Sequence, residues 1–259
     1  DTETIRVAVN GTLQSQTGTT SGGTWSIASV DEPALSGDVI TVFVTSTTAT
    51  VRAAAVTKWV SGNVSGVNLI ERTLTIGSAD NQTISNANLS QYDNSVGGDA
   101  NLFWEVDGSS NLNVDTGGLF SDERLLVRSG NTYQPDSSGA QKVITSQNYF
   151  ASSSATLTAN GTIWRLGGNF INNGTFTQGT STVEFSGAGS GINCSSCTFY
   201  NLTASSTATA TASTSITVSN TLWSVGTLSI PSGNTVTHSG TTLTLDGTIS
   251  GAGTLTIPG

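Results

Sequence analysis

From Phe185 to Gly259 the chain is nearly uncharged: apart from two cysteines and a tyrosine, its ionisable side chains are His238 and Asp246. Short Thr-rich phrases recur along this stretch, namely Gly226-Thr-Leu-Ser-Ile230, Thr242-Leu-Thr-Leu245, Gly247-Thr-Ile249 and Gly253-Thr-Leu-Thr-Ile257. Their interval of roughly a dozen residues suits the rungs of a stacked β-solenoid. Each apolar residue alternates with Thr, Ser or Asn, which puts one face of a strand in a core and the other in water. Thr favours strands because its β-branch suits the pleated backbone. Its hydroxyl keeps the outer face wet without charge. Glycines at the corners are expected to supply the positive φ of a tight coil turn.

The rest of the chain fits an all-β class. Charged residues are 10% of the 259, against an ordinary share of about 25%. Periodic Val, Ile, Leu, Phe and Trp supply apolar faces to bury, which argues against disorder. Apolar residues at helical spacing are missing; Ala53-Ala-Ala-Val56 alone looks mildly helical, beside strand-favouring Val51 and Val56. Residues 1–62 read as an immunoglobulin-like β-sandwich, with Thr4–Val9, Thr24–Ala28, Val39–Val44 and Thr48–Arg52 as strands and Asn10-Gly11 as a hairpin signal. Residues 63–150 form a second β-rich unit, charged and irregular, and residues 151–259 the solenoid.

Net charge is −9 and the isoelectric point about 4.3. Such a balance repels nucleic-acid phosphate and anionic lipid, so neither is an expected partner. No apolar run approaches the 18 or so residues of a membrane-spanning helix. The sequence contains no Met and starts at Asp1, from which a removed leader, and hence secretion, is expected. Cys194-Ser-Ser-Cys197 admits a redox pair, a zinc site or a local disulfide. A redox pair wants a helix N-terminus and a zinc site about four ligands, and neither is in view. A disulfide locking one corner is the favoured alternative.

Candidate chemistry is sparse. Asp107, Asn111, Asn113 and Asp115 place oxygens at alternate positions and make a weak calcium candidate. The alternative is a polar hairpin whose outward face is Asn and Asp. A Ser-His-Asp triad has only His238 to recruit, and that residue reads as a solvated strand-end histidine. Arg165 and Glu184 are the solenoid's remaining charges and read as a surface pair. Neither catalytic residues nor a cofactor site is expected. Glycosylation sequons begin at Asn10, Asn63, Asn81, Asn88, Asn160, Asn173, Asn193 and Asn201, but in a chain this rich in Asn, Ser and Thr chance alone yields about six. Of the five Trp, Trp59 is the best candidate for an exposed sugar platform; the others read as core.

Gly168-Asn-Phe-Ile-Asn-Asn-Gly-Thr-Phe176, Thr182-Val-Glu-Phe-Ser-Gly187 and Thr198-Phe-Tyr-Asn-Leu-Thr203 resemble repeats in very large secreted bacterial surface proteins. Val9-Asn-Gly-Thr12 and Gly37-Asp-Val-Ile-Thr-Val42 are similar to the immunoglobulin-like modules that accompany those repeats, notably in candidate-phylum bacteria. The resemblance implies β-solenoid and sandwich architecture at a cell surface and implies no particular activity. The expected function is a non-enzymatic subunit of an extracellular filament, joined head to tail with copies of itself. Thr4, Ile5, Val7 and Val9 are the candidate strand at one end, and Leu255 and Ile257 the candidate rung at the other. A stalk of a larger adhesin and a carbohydrate-binding module, with glycans as partners, are the alternatives.

Overall fold

A computed structural model of the chain describes residues 3–30, 35–45, 51–97, 101–114, 122–136, 141–194 and 197–257. The described strands form three sheets of 12, 4 and 10 strands. From Ala54 onwards successive coils stack in parallel, giving a β-solenoid of about nine turns. Parallel stacking therefore begins well before residue 151 and crosses it without a break.

The coil repeat is longer than the phrases of the sequence suggest. On the ten-stranded face Trp164 stands over Ile144, Val183 over Trp164, Leu202 over Val183, Leu222 over Leu202 and Leu243 over Leu222, steps of 20, 19, 19, 20 and 21 residues. The dozen-residue interval matches neither the coil nor the step from one face to the next, which is shorter: Thr242, Thr248 and Thr254 open successive strands six residues apart. Thr248–Ser250 pairs with the twelve-stranded face and Thr254–Thr256 with the ten-stranded one. Alternation governs which side chains enter: Tyr149, Phe170 and Ile192 stack on the twelve-stranded face with no measurable exposure, while Thr and Asn point out.

Rings fill the middle of the rod. Trp164 meets Tyr133 and Tyr149 edge to face at 6.0 and 5.2 Å, Tyr149 stacks on Phe170 at 5.0 Å, and Phe170 meets Phe176 and Phe199. Beyond Phe199 the interior is lined by Ala204, Ala208, Ala210, Ala212, Ile216, Val218 and Leu228. The cross-section shrinks with it. The four-stranded face ends at Thr175–Thr177, and the next coil turns directly from Ser190–Cys194 to Thr198–Ala204. The Cys194–Cys197 disulfide sits at that corner, with Cα atoms 5.5 Å apart and both residues buried.

Corner glycines answer to two different constraints. Gly179 and Gly251 have the expected positive φ of 53° and 93°. Gly187 and Gly247 do not. A Cβ on Gly187 would strike the carbonyl of Gly167 in the coil below, and one on Gly247 the carbonyl of Gly226. At those corners closeness between coils, and not handedness, demands glycine.

The first strands are β1 (Thr4–Val9), β2 (Thr12–Thr19), β3 (Val39–Thr45), β4 (Ala54–Lys58) and β5 (Thr73–Ile76). They run in the order β2-β1-β3-β4-β5, antiparallel up to β4, and continue directly into the twelve-stranded face. A sandwich over residues 1–62 needs a second sheet facing this one, and the described residues there form none. Ala54–Lys58 is a strand, because its residues are buried between two neighbours in the sheet. Thr48–Thr50 of the expected fourth strand lies outside the described residues.

Candidate functional site

The two ends of the rod differ most from its repeating middle. At the N-terminal end the inner face of β1, β3 and β4 is covered by residues 86–97 and 101–106, an insertion in the first coil. This segment carries single-turn helices at Asn86–Leu89 and Asn94–Gly97 and a strand at Trp104–Val106. Leu89, Leu102, Phe103 and Trp104 are fully buried there, and Tyr92 stacks on Phe43 at 5.8 Å. Polar groups hold the cap in place. Asn86 donates from Nδ2 to the Ser110 carbonyl at 2.7 Å, and its Oδ1 accepts the Tyr133 hydroxyl at 2.5 Å. Asp93, also buried, accepts the Val106 amide at 2.7 Å and the Ser95 hydroxyl at 2.8 Å. Burial pushes the Tyr133 and Tyr149 phenols well above their ordinary 10.0.

At the other end the last strands, Thr242–Leu245, Thr248–Ser250 and Thr254–Thr256, each pair with one neighbour only. Leu245, Ile249 and Ile257 are exposed over 38, 37 and 54% of their surface. The position beneath Ile249 on the same ladder is Leu228, which is 1% exposed.

The N-terminal strand expected to be free is not at an edge. β1 pairs with β2 on one side and β3 on the other, and Ile5, Val7 and Val9 are buried. Thr4 opens that strand opposite both Thr19 and Thr45. The strand was expected to be free because it lies first in sequence, but the β1–β2 hairpin makes β2 the outermost strand. At the other candidate strand Leu255 is half-buried and Ile257 exposed.

The oxygen-rich turn is satisfied from within. Asp107 Oδ1 accepts the amides of Ser109 and Asn111, and Oδ2 accepts the Asn111 side chain at 2.9 Å. These hydrogen bonds, those from Asn111 first, hold the Asp107 carboxyl below its ordinary value. Asn111 Oδ1 accepts the Val143 amide at 2.8 Å, and Asn113 lies across from Glu105 on the neighbouring strand. Asp115 lies outside the described residues. Among those residues no three His, Cys, Asp or Glu side chains converge as a metal site would require. The turn is built as a polar hairpin.

His238 is buried, not solvated, and its Nε2 lies 3.1 Å from the Asn220 carbonyl. Arg165 stands beside Glu184 in register, Nε to Oε2 3.5 Å, on the outer surface. Asn10, Asn63, Asn81, Asn173 and Asn193 are exposed. Asn88, Asn160 and Asn201 are half-buried with their amides engaged. Trp59 is half-buried and donates its ring N–H to the Gly62 carbonyl at 2.8 Å, whereas Trp223, expected as core, is 45% exposed on the ten-stranded face. Its placement follows from register: Leu222 and Ser224 face inward, so Trp223 between them faces out. Sequence reasoning also missed a buried ion pair, Arg52 with Glu123 at 3.7 Å, which nothing in the local pattern announces.

One cavity of about 860 Å³ lies on the outer face of β1 and β3, walled by Trp25, Ile27, Trp59 and Val67. No helix among the described residues is long and apolar enough to cross a membrane. Compared with protein-family models, curated proteins and solved structures, the chain matches none.

Proposed function

We propose that this chain is a non-enzymatic structural element of an extracellular, cell-surface filament, in which the open rung of one copy is completed by a β-strand of the next. The observation that carries this reading is the exposure of Leu245, Ile249 and Ile257 at ladder positions of the kind that earlier coils bury. Apolar ladder positions left facing water, beside unpaired N–H and C=O groups, invite another strand. A contact between unlike ends does not close on itself, so it propagates as a fibre. Strand pairing on a solenoid adds an increment of the same interface at each step, which suits a rod whose task is length.

A stalk segment of a larger surface adhesin is the second reading. The same exposed rung favours it, since further coils of one chain would cover Leu245 and Ile249 equally well. Negative-stain microscopy and light scattering across a concentration series separate the two. The filament reading expects fibres with a regular axial repeat, and expects Ile249→Lys to abolish them while the folded monomer persists. Monodisperse particles at every concentration would sink it and leave the stalk.

A further inference from the structure

The outer face of the ten-stranded sheet carries one mixed row of side chains. Register sets Glu105 beside Asn113, Asn113 beside Thr145 and Thr145 beside Arg165. The row continues through Glu184 and Thr203 to Trp223. Neighbouring strands lie about 4.7–4.9 Å apart, so Trp223 stands roughly 14 Å from Arg165, three rungs along the rod. Alternation turns these side chains outward: Leu222 and Ser224 beside Trp223, Trp164 and Leu166 beside Arg165, and Val183 and Phe185 beside Glu184 are buried. At its Glu105 end the row enters a recess of about 370 Å³, lined in part by Glu105, Asp107, Asn113, Thr145 and Arg165.

The two signs of charge in this row decide what complements it. A carboxylate only accepts hydrogen bonds and a guanidinium only donates them. Glu105 and Glu184 call for donors, and Arg165, between them in the row, calls for acceptors. An anion that met Arg165 would lie near carboxylates on either side, with Asp107 adding to the repulsion. A cation that met a carboxylate would lie near Arg165. A hydroxyl both donates and accepts, so a chain of hydroxyls satisfies every rung without bringing a charge of its own. The Arg165–Glu184 contact leaves capacity for this. At 3.5 Å from Nε to Oε2 it is longer than an ordinary hydrogen bond, and neither side chain is buried. Trp223 supplies the apolar half of such a site, an exposed flat ring. A sugar carries hydroxyls at its rim and C–H groups on its faces, so one chain of sugars matches both the polar rungs and the indole.

We propose that this row is a binding site for a neutral, linear glycan lying along the rod, with sugar hydroxyls on Glu105, Arg165 and Glu184 and one sugar ring stacked on Trp223. The even pitch of the rungs suits an extended chain, which points to β-1,4-linked sugars. The site lies on the side of the rod and does not depend on the filament reading, which concerns its ends.

Cellohexaose, mannohexaose and xylohexaose, each titrated into the full chain by isothermal calorimetry, test the site. Saturable binding of at least one is expected, with the matching disaccharide at least about tenfold weaker because it cannot span from Arg165 to Trp223. Trp223→Ala and Arg165→Ala are each expected to weaken the hexasaccharide by about tenfold or more, through loss of a stacked ring and of a charge-assisted hydrogen bond. Trp223→Tyr, which keeps a ring, is expected to recover most of the first loss. Both side chains reach solvent, so an unchanged thermal midpoint is the folding control. Absence of binding by all three hexasaccharides, or binding that survives either alanine substitution, overturns the site. Hexagalacturonate and hexalysine are the charged comparisons, and tighter binding of either than of the neutral chains overturns the assignment to a neutral glycan.

Discussion

At the N-terminal end of the rod, Leu89, Leu102, Phe103 and Trp104 are fully buried in an inserted segment with two single-turn helices. At the C-terminal end, Leu245, Ile249 and Ile257 stand over a third exposed. The ladder itself is the same kind of structure at both ends, Thr and aliphatic residues in parallel register. What separates the ends is a segment that does not belong to the ladder. Closure of the N-terminal end is thus an added part with its own buried polar network, Asn86, Asp93 and Tyr133.

The capped end should therefore be sensitive to single substitutions, and the open end tolerant of them. Trp104→Ala is expected to cost about 3–5 kcal/mol of stability in chemical denaturation, because a fully buried indole leaves a cavity. A loss below about 1 kcal/mol would mean that the cap is not part of the cooperative fold. Glu123→Ala leaves Arg52 buried beside β4 without its counter-charge and is expected to cost about 3–5 kcal/mol, with Arg52→Met plus Glu123→Leu recovering most of it. Failure of the double variant to recover would show that the pair does more than neutralise itself.

The two buried phenols sharpen the comparison between cap and column. Tyr133 donates to Asn86, while the Tyr149 hydroxyl has no hydrogen-bond partner among the described residues. Tyr133→Phe is thus expected to cost about 1–2 kcal/mol, and Tyr149→Phe to cost nothing or to stabilise. Both phenols also set an alkaline limit. Burial raises their folded values above the ordinary 10.0, so the unfolded chain ionises first. Stability is complete below about pH 10 and falls as the pH rises above it. A denaturation series from pH 8 to 11 checks the sign, and the slope should shrink in the double Phe variant.

The smallest stability effect is expected at the open end. Ile249→Ala should cost less than about 1 kcal/mol, since much of that side chain is already in water. Paired with Trp104→Ala under the same conditions, it tests the asymmetry directly, and equal losses would refute it.

Much of the fold is legible in particular residues. Thr156-Leu-Thr158, Thr227-Leu-Ser229 and Thr254-Leu-Thr256 are strands in the structure, as their alternation requires. Period was harder to read. A coil of about 20 residues holds strands on two or three faces, and each face uses the same Thr-rich vocabulary, so the spacing of like phrases is shorter than the coil. The cap was not legible at all. Asn86, Asp93 and Arg52 are polar residues that a sequence places at the surface, and only partners distant along the chain, such as Tyr133 for Asn86 and Glu123 for Arg52, make their burial tolerable. Trp59 and Trp223 exchanged their expected roles for a similar reason, as exposure depends on register and on covering segments.

By itself the sequence determined the all-β class, the stacked rod and the poverty of titratable groups in its last third, because alternation and composition act locally and survive any arrangement of neighbours. The tertiary structure decided what closes the N-terminal end. That choice depends on strand order, which puts β2 and not β1 at the edge, and on contacts between residues far apart in the chain, which no local pattern encodes.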